Sequence, residues 1–82
     1  MTLKDKINEL GNLVTEAKII YNAAMDETLA EEEQDNYYED YHKLMEHIAE
    51  KLMDLIEIDS FTARRMAYHK QDEIKALVAR LA

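Results

Sequence analysis

The sequence contains no cysteine and no proline, and its single glycine is Gly11. Without cysteine the chain can form no disulfide, no thiolate nucleophile and no cysteine-based zinc site. Proline and glycine mark the turns between strands, so their near absence favours long helices. No apolar run approaches the roughly 18 residues of a membrane span, and the N-terminus lacks the apolar run of a secretory signal. These absences predict a helical, cytoplasmic protein without a membrane segment.

Length and composition are those of one small folded domain. The chain has 82 residues, of which 48% are hydrophobic and 34% are charged. This balance is too hydrophobic for a disordered acidic tail and is normal for a helical bundle. We therefore predict a single domain over residues 1–82. Because no disulfide is possible, extra stability has to come from close helix packing or from self-association.

The formal net charge of −8 is unevenly distributed along the chain. Residues 1–25 hold three acids and three bases, residues 26–59 hold thirteen acids and two bases, and residues 60–82 hold two acids and five bases. The three parts therefore carry 0, −11 and +3, which sum to −8. An acidic middle repels nucleic acid and anionic membranes, and it attracts basic protein surfaces.

Apolar residues recur at spacings of three and four, which places them on one helix face. The first such stripe comprises Leu3, Ile7, Leu10, Val14, Ala17, Tyr21 and Ala24. The second comprises Tyr38, Tyr41, Met45, Ile48, Leu52 and Leu55. We predict an all-α, three-helix bundle-like fold. Helices at about 3–25 and 30–58 form an antiparallel hairpin, and a third, C-terminal helix at about 61–81 packs across it. The residues predicted to be buried between the first two helices are Ile7, Leu10, Val14, Ala17 and Tyr21 on one and Tyr41, Met45, Ile48, Leu52 and Leu55 on the other.

Polar residues indicate where these helices begin and break. Thr28 followed by Glu31 has the pattern of a capping box, and Asp35 is a second candidate cap for the middle helix. Asp59 or Ser60 is the candidate cap for the third helix. The polar run at 69–73 is either a solvated turn of that helix or a break in it.

Several apolar residues lie off the two main stripes. They are Leu13, Ile19, Ile20, Met53 and Ile58. A three-helix monomer does not obviously need faces this wide, and exposed apolar patches usually mark interfaces. We therefore predict a two-fold homodimer. The alternative is a monomer whose third helix covers these side chains.

The sequence contains no recognisable catalytic constellation. Nucleophilic catalysis needs a poised hydroxyl or thiol beside a base, and Thr28 and Ser60 are better explained as helix caps. One glycine cannot form a glycine-rich phosphate loop. We therefore predict a non-catalytic protein with no cofactor.

A metal-binding helical bundle is one alternative function. Ligand-type residues at helical spacing are Glu39, His42, Glu46, His47 and Glu50. These spacings put ligands on one helix face, but a di-metal bundle needs a second such motif, which the sequence lacks. The expectation is that no metal is bound.

A small DNA-binding transcriptional regulator is the other alternative. Its contact residues would be the bases of the third segment, Arg64, Arg65, Lys70, Lys75 and Arg80. Duplex-binding proteins usually have a basic overall footprint, so the net charge of −8 argues against direct nucleic-acid binding. Ion pairing of these bases with the acidic middle is the simpler explanation.

The most distinctive feature is a run of acids and tyrosines at residues 31–40, called the acidic tract below. Its candidate partner-binding residues are Glu31, Glu32, Glu33, Asp35, Tyr37, Tyr38, Glu39 and Asp40. Closely spaced carboxylates can imitate a phosphate backbone, and tyrosine is enriched at binding hot spots. In general composition, although without a shared motif, the chain resembles small acidic inhibitors such as anti-restriction and anti-CRISPR proteins. We therefore predict an acidic interaction protein that binds a basic protein, as an inhibitor or nucleic-acid mimic; the alternative is an ordinary solvated helix end.

Overall fold

The computed structural model describes residues 2–81, and within that range it is helical without strands. The helices are α1 (Leu3–Ala24), α2 (Glu31–Leu55), α3 (Ser60–His69) and α4 (Gln71–Leu81). α1 and α3 both pack against α2, and α4 packs against α1. The all-helical prediction is therefore confirmed, with four helices in place of the predicted three.

Two side-chain pairs show how α1 and α2 lie together. Near the start of α1, the Lys6 Nζ lies 3.0 Å from the Asp54 Oδ2 near the end of α2. Near the end of α1, the ring centroid of Tyr21 lies 5.3 Å from that of Tyr41 in the first half of α2. The two helices therefore run in opposite directions.

The start of α2 is not capped in either of the predicted ways. Its N-cap residue is Ala30, which makes no side-chain hydrogen bond to the helix. Thr28 lies in the preceding turn, where its backbone N–H and its hydroxyl both donate to the Asp26 carboxylate. This local turn satisfies the Thr28 hydroxyl, so Thr28 is not available as a cap. Asp35 lies inside the helix, which begins at Glu31.

α2 ends at Leu55, short of the predicted residue 58. Ile56 has extended backbone angles, with φ −135° and ψ 154°. Asp59 then caps α3 as expected, because its carboxylate accepts a hydrogen bond from the Thr62 backbone N–H at 2.7 Å. The extended stretch lets the chain leave α2 and turn into α3.

The predicted third helix is broken into α3 and α4. Lys70, with φ −132° and ψ 41°, separates the two helices. The Gln71 side chain donates to the Ala67 carbonyl oxygen at 3.0 Å, which satisfies a group at the end of α3. Within residues 69–73 no side chain is fully buried, so no packing holds this segment straight. The break lets α4 reach α1 while α3 stays on α2.

The core lies between the two predicted stripes and is closed by α3 and α4. Its fully buried side chains are Leu10, Val14, Ala17, Met45, Ile48, Leu52, Ala63, Ala67 and Ile74. Two stripe residues predicted to be buried are not. Tyr21 is 42% exposed and Leu55 is only partly buried, because each lies close to the end of its helix.

The off-stripe apolar residues divide into two groups. Leu13, Ile20 and Ile58 are partly buried and pack against the core. Ile19 and Met53 are 65% and 38% exposed. Three of the five apolar side chains that suggested a dimer are therefore covered within one chain. Self-association stays a prediction. No helix within residues 2–81 is long and apolar enough to cross a membrane.

Candidate functional site

The acidic tract forms the first two to three turns of α2. All eight of its predicted partner-binding residues are exposed. Three of its acids, Glu31, Glu32 and Glu33, lie in the first helical turn, where the positive end of the helix dipole stabilises negative charge. These acids therefore stabilise the helix, and their side chains are also accessible to a partner.

The carboxylates of the tract have few cationic neighbours. Of the five ion pairs within residues 2–81, one involves the tract, between Glu39 and Lys43 at 3.9 Å. Six acids over ten helical residues place one negative charge per about 2.5 Å of helix axis, against about 1.7 Å for duplex DNA. The tract therefore presents to the solvent roughly two-thirds of the linear charge density of duplex DNA.

Tyr37 and Tyr38 are both 40% exposed, but their surroundings differ. The Tyr38 ring centroid lies 6.2 Å from that of Tyr41 and 5.0 Å from that of His42. Within the described residues Tyr37 has no aromatic neighbour, and it does not line the cleft that Tyr38 enters. Tyr38 is therefore the tract residue that also lines a concave surface of the protein.

That surface is a cleft of about 710 Å³, called the tyrosine cleft below. It lies where the end of α1, the first half of α2 and the α3–α4 junction meet. Its lining residues are Lys18, Tyr21, Tyr38, Tyr41, His42, Tyr68, His69, Lys70, Gln71, Asp72 and Glu73. The volume is within the range of small-ligand sites, which are also commonly lined by aromatic side chains.

The rings of the cleft form one continuous cluster. Tyr41 lies at its centre, with ring centroids 5.3 Å from Tyr21, 6.2 Å from Tyr38 and 6.2 Å from Tyr68. The Nδ1 of His42 lies 2.7 Å from the Tyr68 hydroxyl oxygen, a hydrogen bond between α2 and α3. The tilted and edge-on ring contacts around Tyr41 stabilise the aromatic pairs by more than the burial of their surface alone would.

Burial raises the pKa of the Tyr41 hydroxyl, a shift that the neighbouring Gln71 side chain partly offsets. Burial also raises the pKa of Tyr68, and the Glu46 carboxylate adds to the shift. Both phenols are therefore neutral at pH 7. They can donate or accept hydrogen bonds, but they are not poised as nucleophiles or bases.

Sequence reasoning identified the tract but missed the cleft. Tyr21 and Tyr41 were assigned to the core stripe, and Tyr68 was not singled out. The available signal was on α2, where Tyr38 is followed by Tyr41 at i+3 and by His42 at i+4, so that these three polar aromatic side chains lie together on the helix. Asp72 reaches the cleft because the third predicted helix breaks at residue 70. The sequence analysis left open whether that break occurs.

Three of the five side chains of the alternative metal cluster make separate contacts. His42 contacts Tyr68, Glu39 pairs with Lys43, and Glu46 accepts from Arg64. Within residues 2–81 there is no group of three or more His, Asp or Glu side chains that could hold a metal ion.

The bases of the alternative DNA-binding segment are divided between two helices. The Arg64 Nε lies 3.1 Å from the Glu46 carboxylate. The Lys70 Nζ lies 3.8 Å from the Glu73 carboxylate. Arg64 thus pairs with the acidic middle, as the simpler explanation expected, whereas Lys70 pairs with an acid of its own segment.

Relatives add no information about this site. Comparison of the chain with protein-family models, with curated proteins and with solved structures found no significant match.

Proposed function

We propose that this protein is a non-catalytic interaction protein whose acidic tract binds a basic protein surface. The observation that carries the proposal is the exposed run of six carboxylates, one of which is ion-paired within residues 2–81. Where the basic surface is one that binds nucleic acid, the tract occupies it in place of the phosphate backbone and so inhibits. The charge spacing calculated above supports this mimicry.

The tract supports rapid, salt-dependent recognition. Charges at the rim of an interface mainly raise the association rate, and salt screens them within about 8–10 Å. The chain as a whole carries −8, so the field around the tract has the same sign as the tract itself. Binding should therefore weaken steeply as the salt concentration rises.

Charge neutralisation with a matched control tests the proposal. The variant E31Q/E32Q/E33Q removes three charges from the tract, while E16Q/E27Q/E57Q removes three from exposed positions outside it. Glutamine avoids placing positive charge at the start of α2. Each immobilised protein is exposed to a lysate of the source organism, and the retained basic proteins are identified and quantified by mass spectrometry.

We expect a basic protein to be retained by the wild type and by the control but lost with the tract variant. Purified, that protein should bind nucleic acid, and the wild-type chain should compete for it. In a mobility-shift assay at low salt, the chain alone should not bind DNA. Direct DNA binding, or equal retention by both variants, would contradict the proposal.

We also propose that the chain forms a homodimer through apolar side chains that one copy leaves exposed. Ile19 and Phe61 are 65% and 74% exposed. Light scattering at micromolar concentration should give twice the 9.6 kDa monomer mass, and Ile19→Lys should shift it toward the monomer. A wild-type mass of 9.6 kDa would reject self-association.

A further inference from the structure

We infer that the tyrosine cleft binds an arginine side chain of the basic partner that the acidic tract attracts. The inference rests on the proposed function, and it identifies the partner side chain that is held in the cleft. Tyr21 and Tyr38 remain 42% and 40% exposed, so ring area is open to a ligand. Asp72 lines the cleft and has no ion-pair partner within residues 2–81. Asp35 precedes Tyr38 by three residues and so lies beside it on α2.

The charge around the cleft selects a cation over an anion. In the lining, Lys70 is paired with Glu73, and the remaining charges of Lys18 and Asp72 have opposite signs. The lining is therefore neutral overall when its histidines are neutral. The charge around the cleft then decides which ligands it attracts. The adjoining tract carries −6 and the whole chain −8, a field that repels anionic ligands and concentrates cations.

The chemistry of the lining selects arginine over lysine. A guanidinium group is planar, stacks on aromatic faces and is less strongly hydrated than an ammonium group. Its five N–H donors match a cleft that offers phenol oxygens and the Asp72 carboxylate. Tyr38 belongs to both the tract and the cleft, so a basic segment lying along α2 brings a side chain directly to the rings.

Titration of the full chain with a defined peptide tests the inference. The probe is acetyl-Gly-Lys-Arg-Lys-Gly-amide, and its comparison peptide carries citrulline, a neutral analogue of similar shape, in place of arginine. NMR at 150 mM salt follows the ring resonances. We expect the resonances of Tyr21, Tyr38 and Tyr68 to shift with the arginine peptide, at an affinity about fivefold or more above that for the citrulline peptide.

Four variants locate the binding. Tyr38→Leu and Asp72→Asn should each weaken the arginine peptide by about three- to thirty-fold. Glu16→Gln and Glu57→Gln change exposed acids that lie outside both the tract and the cleft, and they should stay within about twofold. Circular dichroism checks that each variant is folded. Should Tyr38→Leu lose structure, Asp72→Asn decides the matter, because Asp72 is an exposed helix residue.

Equal shifts with the arginine and citrulline peptides, or equal effects of Asp72→Asn and Glu57→Gln, would overturn the inference. Tighter binding of an all-lysine peptide would overturn the choice of arginine. Failure of the proposed function is distinguishable from these outcomes. In that case E31Q/E32Q/E33Q would retain proteins as the wild type does, whatever the peptide does in the cleft.

Discussion

The hydrogen bond between the His42 Nδ1 and the Tyr68 hydroxyl, 2.7 Å long, joins α2 to α3 at the wall of the tyrosine cleft. It connects residues 26 positions apart in the chain. With the aromatic contacts around Tyr41, it fixes the α3–α4 junction beside the first half of α2. The shape of the cleft therefore depends on this pair.

Removal of this hydrogen bond should loosen the junction. Tyr68→Phe keeps the ring but loses the hydroxyl, and we expect the free energy of unfolding to fall by about 0.5–1.5 kcal/mol. Urea unfolding followed by circular dichroism measures the change. Tyr37→Phe, which removes a hydroxyl with no hydrogen bond among the described residues, should leave stability unchanged. Equal effects of the two changes would show that the bond adds nothing.

A charge at the centre of the core should unfold the protein. Ile48 is fully buried in the cluster between α1 and α2. Ile48→Asp should cost more than about 3 kcal/mol, against a total stability of about 4–12 kcal/mol for a chain of this length. Ile48→Val should cost only about 0.5–1.5 kcal/mol. A cooperative thermal transition at the wild-type temperature in the aspartate variant would refute the core assignment.

Gly11 lies where α4 approaches α1 closely. A Cβ built at this position would lie 3.2 Å from the Cγ1 of Val78, a tight contact. Val78 is only partly buried, so it can shift by a few tenths of an ångström. Gly11→Ala should therefore gain part of the roughly 1 kcal/mol difference in helix propensity, whereas Gly11→Leu should destabilise. If Gly11→Ala lowers the thermal midpoint, the double variant with Val78→Ala should restore it, and failure to do so would exclude crowding as the cause.

Asp59 should make the stability of α3 depend on acid pH. Its hydrogen bonds with Thr62 hold the pKa of the carboxyl below the ordinary 3.8. A carboxyl whose pKa is lower in the folded state stabilises the fold above the unfolded pKa, and this stabilisation is lost as pH falls through the folded pKa. The difference in thermal midpoint between wild type and Asp59→Ala should be full near neutral pH and should shrink below 3.8. A constant difference across that range would show that the charge is not involved.

The main helical segments could be predicted because their signal is local and repeated. Spacings of three and four over several turns place apolar side chains on one face whatever the neighbouring helices do. Ile7, Leu10, Val14, Met45, Ile48 and Leu52 are accordingly all buried. Helix ends were predicted less well, since a residue such as Thr28 can satisfy its hydroxyl in a turn as readily as at a cap.

The candidate site could be predicted only in part. The exposure of the acidic tract follows from composition, because no core accepts six carboxylates on adjacent turns. The spacing placed Tyr38, and not Tyr37, on the apolar stripe, but the setting of Tyr38 in a cleft could not be predicted. It arises from the contacts of Tyr38 with Tyr41 and His42 and from the cleft that α3 and α4 close.

By itself the sequence determined the helical class, the buried stripes and the acidic tract. Each of these depends on residue type and on spacing within a single helix. The tertiary structure decided that the C-terminal segment breaks at Lys70, and that α4 packs on α1. It thereby brought Asp72 to a cleft beside Tyr38 and Tyr68. Such neighbours are set by the packing of distant segments, because side chains far apart in sequence meet only when the helices that carry them share a core.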